Sequence, residues 1–522
     1  MDAQSNNRNT YYAPRAATVC RYGNAIIAIG LALYFFLVPF AILVDAVSDS
    51  ALRYPGIPHF AERLHRSLTP KYERWARERI GSGAATELGI DEISATEWPL
   101  FGSAFYLWAT EELQQDWEFA GENRGIAPAV YARETIDAAT ALVLDEGHAA
   151  WVREHWGDDY LHKQNCFYRM LLISAATSHE RLLGTGEHLD LLRDQVETLS
   201  AEIDASPVGL IEDYPYECYP GDVMMAVAAI RRADAVLGTD HSAFVQRALR
   251  AFDDERFDAT GFPPYAASAE DGELSTCARG CSNSYVLIAA PELWPETARE
   301  WYARCEEHFW QRKAWAAGFR EFPKGPYSVN WYADVDSGPV IAGYGVAASA
   351  FGIAAARANG RFDHAYPLAA EALVASWPLP DGTLLVPRLL SNLADAPYLG
   401  EAALLYCLSR QPVEGVAITT GGKLPPLVYI GLAGYLIVGL LIVGDSLLRV
   451  RRWRRSPRGV PCAGAQLGVW AVLLATGVLL GILVSWVYGL PVILIAQLLP
   501  RRGKRSRRDS VTGADPEEVR QT

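Results

Sequence analysis

Within this 522-residue chain, short stretches crowd carboxylates, phenols and a thiol at spacings that suit proton-transfer chemistry. The densest is Glu212-Asp213-Tyr214-Pro215-Tyr216-Glu217-Cys218-Tyr219-Pro220-Gly221-Asp222, with four acids, three tyrosines and a cysteine in eleven residues. Carboxylates beside phenols and a thiol supply general acids and bases whose pKa values a partly dry cavity can separate. Asp213 and Glu217 are the acid/base candidates here. Cys218 and Tyr216 are polar partners for a leaving hydroxyl, and Tyr214 is a binding group. The plainer reading is a solvated turn in which Asp222 caps the next helix.

A second stretch, Asn330-Trp331-Tyr332-Ala333-Asp334-Val335-Asp336-Ser337-Gly338-Pro339, places two acids at i and i+2. That spacing leaves either Asp334 or Asp336 to enter a cavity and serve as the acid. Trp331 is a candidate wall. Gly338-Pro339 also reads as a sharp helix start, with Asp336 or Ser337 as a mere N-cap. A third stretch, from Asp158 to Arg169, offers His162 and Tyr168 as binding groups near one helix start, although a lone histidine is more often structural. Glu97-Trp98-Pro99 adds Glu97 or Tyr106. The long segment from Phe257 to Ser284 suits a lid. Fifteen Trp and 25 Tyr provide aromatic walls that fit sugars by stacking and fit apolar substrates equally well.

These loops are positioned by helices. Apolar residues recur with a period near 3.6 in Leu100–Leu113, Ala129–Leu144, Cys166–Leu183, Leu189–Ile203, Val223–Leu237 and Ala243–Phe252. The pattern continues in Tyr285–Leu293, Trp301–Trp315, Val340–Ala356, Ala365–Trp377 and Glu401–Leu408, and no stretch alternates as a strand does. The helices pair, an apolar member followed by a charged one. Val340–Ala356 is apolar nearly all round, as a helix buried between layers must be. Some six such pairs suit an all-α (α/α)6 toroid, whose inner helices begin at one mouth. Helix N-termini gathered there favour anionic or electron-rich groups.

Three apolar runs bracket this domain: 24–47, 424–444 and 467–499. A membrane span needs about 20 such residues. Arg8, Arg15 and Arg21 precede the first run, and Arg449, Arg451, Arg452, Arg454, Arg455 and Arg458 follow the second. By the positive-inside rule these flanks are cytoplasmic, and residues 48–423 lie outside, on the outer face of the cell (inner) membrane. The first run is too long for a signal-peptide core and reads as an uncleaved anchor. The third, 33 residues long, is either a tight hairpin turning at Gly489-Leu490-Pro491 or one crossing with an interfacial helix. The basic residues from Arg501 to Arg508 follow it.

Charge narrows the partners. The chain carries a net −14, but residues 47–444 hold 31 basic and 54 acidic side chains, a net −23. So acidic a body repels nucleic acid, which is excluded as a partner. Cys20 and Cys462 flank the spans. The other cysteines fall in the domain, where Cys277 and Cys281 are close enough to pair. Those two make no zinc site alone, and no metal is expected.

With Lys163-Gln164-Asn165-Cys166-Phe167-Tyr168, the loop Glu217-Cys218-Tyr219-Pro220 and the paired helices, residues 90–410 resemble the linalool dehydratase/isomerase superfamily. The resemblance implies a toroid that adds or removes water at an allylic alcohol without a cofactor, using Asp, Tyr, His and Cys. Cys218 then matches a family cysteine. The chain departs from the family in lacking a second cysteine shortly after Cys218 and a histidine after Tyr168, where Arg169 and Met170 stand. The expected function is a membrane-anchored, cofactor-free lyase or isomerase of a hydrophobic alcohol. The alternatives are a hydrolase or epimerase of envelope sugars, with Asp213 or Glu217 paired to Asp334 or Asp336, and a non-catalytic envelope scaffold.

Overall fold

The computed structural model describes residues 14–89, 92–121, 125–252, 257–325, 328–455, 464–483 and 486–498. Asp2, Arg8, Arg458, Cys462 and the basic stretch from Arg501 to Arg508 lie outside them. The chain divides into two compact units, Val38–Leu436 and the joined ends Met1–Leu37 with Ile437–Thr522.

The smaller unit holds α1 (Pro14–Ala32) and a single π-helical turn, Leu33–Leu37, after which the chain enters the larger unit as α2 (Val38–Ser48). Pro39 explains the turn, since it has no N–H to donate to the carbonyl four residues back. Among the described residues, two stretches are long and apolar enough to cross a membrane. Tyr22–Ser48 runs 27 residues at mean hydropathy 2.7, and Pro426–Arg451 runs 26 at 2.4. The last apolar run forms two helices, Gly464–Leu483 and Trp486–Leu498, packed on each other. They approach so closely that a Cβ at Gly477 would lie 2.5 Å from Ile493, the small-residue contact common between helices in lipid. Gly489-Leu490-Pro491 is not a turn, because the second helix runs through it. At 1.5 Å per residue the pair measure about 30 and 20 Å, and the apolar part of the first, Gly468–Ile482, is shorter than a span needs.

The larger unit is mostly helical. After α2 come α3 (His59–Ser82), α4 (Ile93–Ala120), α5 (Pro128–Tyr131), α6 (Arg133–Leu144), α7 (Ala150–Trp156), α8 (Cys166–Leu183), α9 (Leu189–Ala205) and α10 (Pro220–Leu237). Then follow α11 (Ser242–Ala248), α12 (Gly280–Leu293), α13 (Pro295–His308), α14 (Val346–Ala358), α15 (Phe362–Ser376), α16 (Leu385–Leu393) and α17 (Leu399–Ser409). Their ends follow local rules. Pro220 starts α10, its fixed φ suiting the first helical position, and Gly238 stops it at φ 67°.

Six helices form a cycle of neighbours. α4 packs on α8, α8 on α10, α10 on α12, α12 on α14, α14 on α17, and α17 returns to α4. The remaining long helices lie against this set: α3 and α6 on each other, α9 on α8 and α10, α13 on α12, and α15 on α14. α15 also meets α2, and Tyr435 donates its hydroxyl to the Val374 carbonyl of α15 at 3.0 Å.

Strands are present, contrary to the sequence expectation. β1 (Trp310–Arg312) pairs antiparallel with β2 (Ala317–Phe319), opposing Gln311 to Gly318. β3 (Trp331–Asp334), β4 (Gly338–Ile341) and β5 (Tyr344–Gly345) form a second antiparallel sheet, with Tyr332 opposite Val340. So α13 stops at His308 rather than running on to Trp315, and α14 starts at Val346 rather than Val340. Ala342 and Gly343 sit at φ 54° and 87°, a turn that no helix accepts. α3 went unread because Pro70 and a dense run of charge hide its apolar stripe.

At the C-terminal ends of the six helices lies a buried ion-pair network. Arg232 of α10 grips Glu292 of α12 with both Nε (2.9 Å) and Nη2 (2.8 Å). Arg410, just past α17, pairs with Glu292 and reaches Glu112 of α4 at 2.6 Å. Glu111 accepts from Arg181 and Ser178 of α8. Flanking arginines hold the Glu292 carboxyl down to about 2 against the effect of burial. Replacing one partner strands the rest, which typically costs about 3–5 kcal/mol. Arg410→Met is expected to lower the melting temperature of the detergent-solubilised chain steeply, whereas surface Arg193→Met should leave it unchanged.

Candidate functional site

The N-terminal ends of the same helices gather carboxyls instead. Asp213 is 1% exposed. Its Oδ2 accepts the Tyr219 N–H at 2.7 Å, and the Phe167 N–H in the first turn of α8 also faces it. Glu97 comes from α4, Asp222 from the first turn of α10, and Asp336 from the β3–β4 turn. Asp222 and Asp336 each act electrostatically on Glu97, and Asp222 acts on Asp213. Three thiols adjoin them: Cys166 at the start of α8, Cys218, and Cys281 at the start of α12.

Burial and mutual repulsion keep Glu97, Asp213 and Asp222 protonated far above the ordinary carboxylate range. Burial, then Asp222 and Asp336, hold Glu97 well up, while burial and Asp222 do the same for Asp213. Burial and Asp336 push Asp222 up to about 7. All three thiols are pushed up by burial and then by neighbouring carboxyls, so they stay neutral S–H groups. Glu97 Oε1, Asp213 Oδ1 and the Tyr285 hydroxyl are buried without a hydrogen-bond partner. Unsatisfied groups of this kind are rare, and here they converge on one place.

A rigid clamp holds the rim. Arg279 donates through Nε to Glu321 at 2.7 Å and pairs with Asp334 at 2.7 Å. Cys281 donates its S–H to Glu321 at 3.0 Å. The guanidinium lies over the Tyr265 ring at 4.4 Å, and Tyr265 donates its hydroxyl to Asp336 at 2.5 Å. This decides between the two acids of the second stretch. Burial would raise Asp334, but the Ser337 hydroxyl and N–H together with Arg279 hold it low and ionised. Asp336, raised by burial of its carboxyl, is the one that acts on the centre.

Beneath the acids lies an aromatic layer. Phe101 meets Tyr285 at 5.6 Å and Phe167 at 5.8 Å, Phe351 meets Tyr285 at 5.4 Å, and Phe105 meets Tyr406 at 5.8 Å. Phe101 and Phe351 remain half-buried.

Of the residues singled out from sequence, Asp213, Cys218, Asp334 and Asp336 come together, and Glu97 joins them. Glu217 and Tyr216 do not. Tyr214–Glu217 closes as a tight turn, with Glu217 N–H donating to Tyr214 O at 2.9 Å, Pro215 at its second position and Tyr216 at φ 71°. That is the type II pattern. It turns Tyr216 out, 91% exposed, and leaves Glu217 on the surface accepting the Tyr219 hydroxyl at 2.9 Å. Tyr214 stacks on Trp151 at 6.0 Å. Trp331 is 72% exposed on β3. His162 lies on the outside between Asp159 and Asp194. Tyr168 donates to the Val143 carbonyl at 3.2 Å, and Tyr106 bonds Thr69 and stacks on His65, away from the acids.

The third stretch still reaches the centre through Gln164–Cys166. Gln164 and Asn165 are left-handed, at φ 51° and 46°, and Gln164 Oε1 accepts the Glu212 N–H at 2.7 Å. The expected lid is a fixed roof. Within it, the Ala267 N–H donates to Cys218 O at 2.9 Å and the Ala278 N–H to Asp258 at 2.8 Å. Cys277 and Cys281 are both free. Sequence reasoning missed Tyr265, Arg279, Glu321 and Tyr285, and gave Asp222 a role of its own only in the alternative reading, as a cap.

No protein-family model matches the chain, and no curated protein is significantly similar to it.

In the unfolded chain Asp222 ionises near 3.8, but in the fold it keeps its proton to about 7. Stability from this group is complete below about pH 4 and is lost as the pH rises to about 7. The melting temperature should fall across that window, and Asp222→Asn should flatten the fall; an unaltered slope counts against a proton-holding Asp222. At Gly280, whose N–H donates to Glu321 O at 2.8 Å, an added Cβ would lie 1.8 Å from the Arg320 carbonyl. Gly280→Ala should therefore prise α12 from the clamp and destabilise the domain by about 3 kcal/mol in chemical denaturation.

Proposed function

We propose that the larger unit is an (α/α)6 toroid carried on the outer face of the cell membrane, and that its acid centre is the active site of a cofactor-free lyase or isomerase of an apolar, isoprenoid-like alcohol. The cycle from α4 through α8, α10, α12, α14 and α17 supports the toroid as its inner ring. The arginines flanking the apolar helices support the orientation. The linalool dehydratase/isomerase resemblance favours the chemistry. One observation carries it: proton-holding carboxyls, raised by neighbouring carboxyls as well as by burial, gather at one end of a half-buried aromatic layer.

In the dehydration direction, Asp222 or Asp213 gives its proton to the substrate hydroxyl. The C–O bond breaks and water leaves. A neighbouring carboxylate, Asp336, removes a proton from the adjacent carbon, and its C–H pair becomes the new double bond. Phe101, Phe351 and Tyr285 face the positive charge that develops between the two steps, which ring faces stabilise. Cys218 serves as a neutral hydrogen-bond donor. Asp334, ion-paired to Arg279, is a positioning residue.

A second reading has its own support. Trp331 and Tyr332 stand exposed on β3 beside Asp334 and Asp336, a platform on which a sugar ring stacks. Membranes containing the chain, incubated with isoprenoid alcohols and extracted for product analysis, should show water gained or lost. Asp222→Asn and Asp213→Asn should lower turnover about 10²–10⁴-fold. Full turnover in Cys218→Ala would remove the thiol from the mechanism. Release of envelope sugars instead would favour the glycan enzyme, and inertness to both classes a scaffold.

A further inference from the structure

The far end of α8 holds a cluster that the acid centre does not use. His179 is 2% exposed, and its Nε2 lies 3.0 Å from Asp137 Oδ1 of α6. Its Nδ1 is buried without a hydrogen-bond partner, the Glu180 carboxylate standing 3.7 Å away. Glu180 is already engaged. It accepts the Gly186 N–H at 2.7 Å and the His188 N–H at 2.9 Å, folding Gly184-Thr185-Gly186 back on the helix. That turn brings the His188 ring edge-on to His179, with centroids 4.6 Å apart. One ligand atom each from His179, Glu187 and His188 then lies within 4.8 Å of the others.

We propose that His179, His188 and Glu187 bind one divalent transition-metal ion of the zinc class. Because the Asp137 carboxylate fixes the proton on Nε2, Nδ1 is left with its lone pair pointing into the cluster, the tautomer that a metal requires. A carboxylate behind a ligating imidazole is the usual outer partner of such a ligand, orienting the ring and raising its basicity. Two imidazoles and one carboxylate match the donor set of three-ligand zinc sites and leave a fourth position for water. Two nitrogen donors argue against calcium or magnesium, which take oxygen. Zinc–ligand bonds of about 2.0–2.2 Å bring donor atoms within about 4 Å of one another, a closure that the exposed Glu187 side chain supplies by rotating. The ion would staple the α8–α9 corner to α6. His179 and Glu187 stand eight positions apart, outside the short spacings by which a metal motif shows itself in sequence.

The test uses the untagged full-length chain in detergent, stripped with chelator and dialysed, then titrated with zinc chloride by calorimetry. One equivalent should bind, and cobalt chloride should give the visible absorption of a tetrahedral site. His179→Gln and His188→Gln should each weaken zinc binding about 100-fold or more and abolish the cobalt spectrum. Asp137→Asn should weaken it about 10–100-fold while keeping one equivalent. His188 is only half-buried, so His188→Gln should retain the helical circular dichroism of the parent and separate loss of binding from loss of fold. No zinc uptake by the parent chain, or uptake unaltered in His188→Gln, overturns the site.

Discussion

The ion-pair network of Arg232, Glu292, Arg410 and Glu112 is the constraint on which the rest of the domain depends. Charges taken out of water must be paired, and these four tie α4, α10, α12 and the end of α17 together at one level. Two guanidiniums and two carboxylates leave the set neutral. It also suits the helix dipoles, whose negative ends gather there and favour cations. With one end of the six helices closed in this way, the other can afford groups that repel one another. Asp213, Asp222, Glu97 and Asp336 sit at the positive ends, and the backbone N–H of Phe167 partly offsets the cost of their crowding. Roughly ten residues, or about 15 Å of helix, separate Asp222 from Arg232. The aromatic layer fills that distance.

Much of this was legible because long amphipathic helices announce themselves. α8, α9, α10 and α15 fall within a few residues of their sequence reading, and Gly184 and Gly238 mark the ends of α8 and α10. The strands were not legible. β1 and β2 are three residues long and β5 is two, too short for a period of two to stand out. In the run from Val340 to Gly345 the residues are apolar in either period, and the deciding feature, a left-handed Ala342-Gly343 pair, leaves no compositional trace. α3 was lost for the opposite reason, its charged face dominating the composition.

The site was half legible for a related reason. Loops that enter parallel helices from the same end must share a mouth, so three separate stretches predicted one centre. Which side chains point inward is a matter of turn geometry. Pro215 at the second position of a tight turn already implied that the next residues face outward, and so Tyr216 and Glu217 leave while Asp213 and Cys218 on either side stay. Tyr106 shares α4 with Glu97 but lies about 14 Å further along and meets α3 instead. Tyr265, Arg279 and Glu321 carried no signal because their roles exist only between segments far apart in sequence.

The buried thiols bear on how the protein ages. A cysteine is oxidised as its thiolate and only where an oxidant can reach it. Cys166, Cys218 and Cys281 have neither property, shut away beside carboxyls that oppose their ionisation. Among the described residues Cys277 alone is an exposed free thiol. The same crowding that sets proton affinity at the centre thus keeps its sulfur reduced with no disulfide and no external reductant, and oxidative wear falls first on the roof.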